Sequence, residues 1–103
     1  MTPRTATPAR LARAFAAGAL AVNAVPHGVA GLSGRRFTSP FARPPGRGDS
    51  PAPVNVVWSA VNAGGAVLLA RGTLADGRGA AAFGGGAVAV GLLLSWYFER
   101  VRG

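Results

Sequence analysis

An all-α fold, a small bundle of three membrane-spanning helices, is predicted by three features of this sequence. Three uncharged apolar runs of 17 to 19 residues punctuate the chain; charged residues make up only 14% of it and gather at the ends of those runs; and the last run closes on three aromatics followed by charge. Soluble domains carry roughly 25% charged residues, and a small one needs them to cover its core. Inside lipid every backbone amide and carbonyl must be hydrogen-bonded, which only helices and closed barrels achieve. The runs are too few, too long and too uniformly apolar for barrel strands. A single membrane domain therefore covers residues 1–103, with a tail over 1–12, spans near 13–32, 54–70 and 80–98, and a Pro/Arg-rich loop over 33–53.

The tail holds Pro3 and Pro8 beside Arg4 and Arg10. Proline discourages helix interiors, so a mobile basic segment is expected. The first span has its uncharged part at Ala14–Leu32, 19 residues, between Arg13 and the Arg35–Arg36 pair. At ~1.5 Å per residue this covers about 28 Å, against a hydrocarbon layer of about 30 Å. A cleaved secretory leader is the competing reading: Arg10 and Arg13 as its basic end, Ala14–Val22 as its core, and Ala19–Ala21 or Ala24 as its cleavage site. Apolar character that resumes after Pro26 and His27 argues against it.

The loop carries five prolines, four arginines and three glycines, so neither a regular helix nor a central strand is expected there. Phe37 and Phe41 with Arg35, Arg36 and Arg43 suit the head-group zone, which predicts an ordered surface loop partly lying on the membrane. A flexible linker is the alternative. The Arg47-Gly48-Asp49 triplet is too short to carry information.

Val54–Ala70 is 17 uncharged residues, the lower limit for a span, and Asp76-Gly77 marks the turn that follows. Ala80–Phe98 is the clearest span: Trp96, Tyr97 and Phe98 form an aromatic belt before Glu99, Arg100 and Arg102. Gly84, Ala87, Gly91 and Ser95 offer a small-residue face on which another backbone can lie close, and Gly84–Gly86 favour a bend.

Within the spans, the candidate polar helix–helix contacts are Asn23, His27, Asn55 and Asn62. Asn23 and His27 are four apart, Pro26 releases the carbonyl of Val22, and Asn55, Ser59 and Asn62 share a face at spacings of four and three. Polar side chains in lipid seek partners, so Asn23 and His27 are expected to face Asn55 and Asn62 across the bundle.

Several chemistries find no foothold. His27 is the only histidine, and the three acids, Asp49, Asp76 and Glu99, lie in loops or at helix ends, far from membrane depth. A proton relay needs a second ionisable partner and a metal site several ligands. There is no cysteine, no serine with a base near it in sequence, and no phosphate-binding glycine pattern. No catalytic residue, metal or cofactor is therefore expected, and enzymatic activity is not. The net charge of +8 resides wholly in arginine and sits at the ends of apolar runs, where it meets anionic head groups. Nucleic acid is accordingly not an expected partner; the bilayer is, with a second copy or another membrane protein as possible company.

The stretch from Asn23 to Asn62 resembles a group of small, uncharacterised bacterial membrane proteins. The matching elements are Asn23-x-x-Pro26-His27, Gly31-x-x-Gly34-x-x-Phe37, Pro40-Phe41-Ala42-x-Pro44-Pro45-Gly46, Ser50, Asn55-Val56-x-Trp58 and Asn62. The resemblance covers about 40 of 103 residues and implies a multi-helix membrane protein of the bacterial plasma membrane without an assigned activity. Where that group carries Lys or bulkier apolar residues, this chain has Arg and Ala. The arginine-rich, lysine-free composition agrees with a bacterial source.

Five arginines would fall on one side of the membrane and six on the other, so charge bias assigns no orientation. Two functional classes follow: a structural or accessory membrane protein acting through helix packing or oligomerisation, or a subunit of a small oligomeric transporter or channel with a polar path lined by Asn23, His27, Asn55 and Asn62. A secreted basic protein is a third, weaker reading.

Overall fold

A computed structural model describes residues 7–102. Three helices follow one another: α1 (Pro8–Leu32), α2 (Ala52–Ala70) and α3 (Gly77–Arg102). Each is long and apolar enough to cross a membrane. The fold is a small all-α bundle in which α1 packs against both α2 and α3 while those two barely touch.

The helices begin earlier than apolarity suggests, because capping chemistry rather than hydropathy sets their ends. The expected tail over 1–12 is helical from Pro8 onward, and its first six residues lie outside the described ones. Pro8 opens α1, where its missing N–H is no loss and its fixed φ suits the helix. The Thr7 hydroxyl accepts from the Arg10 N–H at 3.1 Å, which makes Thr7 an N-cap. Likewise α2 starts on Ala52 behind Pro51 instead of at residue 54. Asp76 accepts from the Gly79 N–H at 2.8 Å and so caps α3, which starts before residue 80 and runs past residue 98 to Arg102. No break marks Gly84–Gly86; α3 is continuous through them. Pro26 likewise lies inside α1 without ending it.

α1 stops at Leu32 through a Schellman closure. Gly34 takes φ +73°, the Arg35 N–H reaches the Ala30 carbonyl at 2.8 Å and the Gly34 N–H reaches Gly31 at 3.1 Å. At the other end of the bundle the Arg13 guanidinium donates to the Leu68 and Arg71 carbonyls at 3.2 and 3.5 Å. It thus satisfies acceptors that the last turn of α2 leaves open.

The interior is built of small and polar residues. Its buried apolar members are alanines, Ala14, Ala17, Ala24, Ala30, Ala42 and Ala66, whereas Val57, Val61, Leu68, Val88, Leu92 and Trp96 face outward. This inverts the pattern of a soluble bundle. In lipid, large apolar side chains gain nothing by turning inward, so helices associate through close backbone approach and polar contacts. Gly18 and Gly86 form that approach between α1 and α3. A Cβ at Gly18 would meet the Phe83 carbonyl, and one at Gly86 the Phe15 carbonyl. Ala87 and Gly91 also face α1, but a Cβ at Gly84 would meet nothing within 4 Å and Ser95 is exposed. The packing stripe on α3 is thus displaced from the expected one, with Gly86 at its tightest point.

The loop between α1 and α2 is folded. Phe37 and Ser50 exchange both backbone hydrogen bonds, at 3.1 and 2.8 Å, as an isolated antiparallel bridge. Within the loop Thr38, Ser39, Ala42 and Ser50 are buried.

Candidate functional site

At the loop end of the bundle the antiparallel course of α1 and α2 sets two pairs of polar residues facing each other. Asn23 Nδ2 donates to Asn62 Oδ1 at 3.0 Å, and Asn62 Nδ2 donates to its own helix at the Trp58 carbonyl, 2.8 Å away. Between the pairs the Ser59 hydroxyl donates to the Ala24 carbonyl at 2.8 Å. One turn further on, His27 Nδ1 and Asn55 Oδ1 are 2.8 Å apart.

Asn55 fixes the histidine tautomer. Its Nδ2 points at three carbonyls, Phe37, Ser50 and Pro51, at 3.0, 3.3 and 3.4 Å, and a carbonyl only accepts. The amide oxygen is therefore the atom that faces His27. An amide oxygen also only accepts, so Nδ1 carries the proton and donates, and in the neutral ring Nε2 bears a lone pair.

Asn55 consequently joins α2 to α1 and to the loop at once, and none of it is exposed to solvent. Other side chains add to that hold on the loop. The Ser39 and Ser50 hydroxyls are hydrogen-bonded at 2.6 Å, and the Tyr97 hydroxyl of α3 donates to the Gly46 carbonyl at 2.5 Å. Arg102 pairs with Asp49 and lies 5.1 Å over the Phe37 ring. Edge-to-face aromatic contacts complete the frame: His27 with Phe37, Phe37 with Phe98, and Phe41 with Trp58, at centroid distances of 5.5, 5.0 and 5.3 Å.

Under the loop lies a partly open pocket of about 370 Å³. Asn23 and His27 of α1, Trp58 of α2 and Leu94, Tyr97 and Phe98 of α3 line it, and Thr38, Ser39, Pro40, Pro45 and Gly46 of the loop close it above. The lining is mostly apolar. Thr38 is 2% exposed and its hydroxyl has no hydrogen-bond partner.

All four residues singled out from sequence thus sit in one cluster, but they do not share one surface. Asn23 and His27 reach the pocket, while Asn55 and Asn62, 0% and 3% exposed, are enclosed between the helices and do not line it. Sequence reasoning missed Thr38, Ser39 and the Tyr97 hydroxyl, and met Ser50 only as an element of the resemblance. Nothing in the sequence distinguishes Thr38 from any other loop hydroxyl, and Tyr97 reads there only as part of an aromatic belt. Comparison with protein families, with curated proteins and with solved structures finds no match.

Proposed function

We propose that the chain is a structural or accessory multi-pass protein of the bacterial plasma membrane, without catalytic activity, acting through helix packing and association. The observation that supports this best is the use made of polarity inside the spans. Asn23 is bonded to Asn62, His27 to Asn55, and Asn55 in turn to loop carbonyls. Polar atoms engaged in this way hold a surface loop against the bundle. Asn55 and Asn62 are enclosed as well as bonded and are not free to replace the hydration shell of a passing solute, so a polar path through all four residues has less support. Outside, α2 and α3 turn Val57, Val61, Val88 and Leu92 away from α1, an apolar surface suited to lipid, to a second copy or to another membrane protein.

A photo-reactive residue at Val61 or Leu92, in cells, tests the reading. Adducts with protein, of this chain or another, are the expected result. Adducts with lipid alone at both positions would overturn it.

A further inference from the structure

We propose that the pocket beneath the loop binds a neutral amphiphile that presents a single hydroxyl to His27 and Thr38. At about 370 Å³ the pocket falls within the range of small-molecule sites, roughly 300–1,000 Å³, and far exceeds the room one water needs. Among the buried side chains of its lining, two polar atoms make no hydrogen bond. One is the Thr38 hydroxyl, which is almost wholly buried. The other is His27 Nε2, which makes no hydrogen bond among the described residues and bears a lone pair, since the ring proton sits on Nδ1 facing Asn55.

These two atoms define the complementary group. The lone pair on Nε2 calls for a donor, and the Thr38 hydroxyl can give a proton in return. A ligand hydroxyl meets both demands: its hydrogen goes to Nε2 and its oxygen accepts from Thr38. A carboxylate or phosphate would oppose the Nε2 lone pair, and no arginine lines the pocket. A cation would find no carboxylate there. Trp58, Leu94 and Phe98 supply apolar walls for the rest of the molecule. Such chemistry is offered by a long-chain lipid alcohol or by a free phenol.

His27 is the only histidine, so isotope-labelled histidine reports both ring nitrogens of this one residue in the full chain. The protein in phosphatidylcholine nanodiscs is titrated with dodecanol and with phenol, and in parallel with their methyl ethers. The expected result is a saturable shift of Nε2 with Nδ1 nearly still, and ethers at least about 10-fold weaker, since an ether leaves Nε2 unpaired. Thr38→Val should weaken the alcohol by about 3- to 10-fold, and Thr38→Ser should restore it. Tighter dodecanol assigns the site to a lipid alcohol, tighter phenol to a soluble one, and both support the proposal. No saturable shift with either, or ethers binding as tightly as alcohols, overturns it. The ether comparison needs only the wild-type chain and so stands even where Thr38→Val misfolds.

Discussion

Replacing Asn55 with Leu removes the one side chain that joins α1, α2 and the loop. The substitution keeps approximate size and deletes every polar contact at a site with no solvent exposure. The Nδ1–H of His27 is left buried without an acceptor, a loss of about 1–3 kcal/mol. An amide nitrogen has only two hydrogens, so of its three carbonyl neighbours about two bonds count, at a net ~0.5–1.5 kcal/mol each. The carbonyls of Phe37 and Ser50 are not orphaned, because the backbone bridge still joins these residues. A loss of about 2–6 kcal/mol follows, or at least about 8 °C in melting temperature for a chain of this size. Melting in mild detergent, followed by circular dichroism, measures it, and trypsin adds a second readout. Arg35, Arg36, Arg43 and Arg47 lie in the loop that Asn55 holds, so they should be cut faster in the variant. In a double-mutant cycle with His27→Phe, a coupling of about 1–2 kcal/mol is expected, because both changes remove one bond. A variant that melts with the wild type, its loop no more open to trypsin, would refute the reasoning.

Asn62→Leu should also lower the melting temperature, but by less. It removes the bond from Asn23, and hydrogen bonds between membrane helices average ~0.6 kcal/mol; trypsin should cut the loop no faster, and a gain in stability would count against the pairing. Gly18→Val places a branched side chain against the Phe83 carbonyl and should separate α3 from α1, seen as lost helix-proximity signal between spin labels on the two. Gly84→Ala, by contrast, meets nothing within 4 Å and should raise the melting point slightly through helix propensity. Arg13→Gln should release the Leu68 and Arg71 carbonyls, with faster hydrogen exchange confined to the last turn of α2. Exchange that rises throughout α2 would assign Arg13 a different role.

Much of this architecture is legible in the sequence, since a run of 17 to 19 uncharged residues bounded by arginine has few physical outcomes. Helix ends are not legible from hydropathy. Pro8 and Asp76 look like breakers when read by composition, yet at the first position of a helix and at its N-cap they are starters. Spacing reveals that Asn23 and His27 share a face, as do Asn55 and Asn62. Which partner each takes depends on the vertical register of α2 against α1. That register is set by the folded length of the loop, and the loop's folding depends on contacts from Asn55, Tyr97 and Arg102 that are remote in sequence. The packing stripe on α3 is obscured for another reason. Glycine and alanine are so common in this chain that small-residue spacings recur on several faces, and only the crossing with α1 selects Gly86 over Gly84.

The three helices are of unequal length. At ~1.5 Å per residue α1 and α3, with 25 and 26 residues, reach nearly 40 Å, whereas α2, with 19, reaches about 28 Å. The ends of α2 are tied, by Asn55 to the loop and by Arg13 to α1, so it has little freedom to tilt independently. The shortest helix therefore acts as a gauge for the surrounding lipid. Acyl chains of modest length match it without distortion, while thicker bilayers must thin around it, at a cost that rises with every ångström of mismatch and disfavours their company.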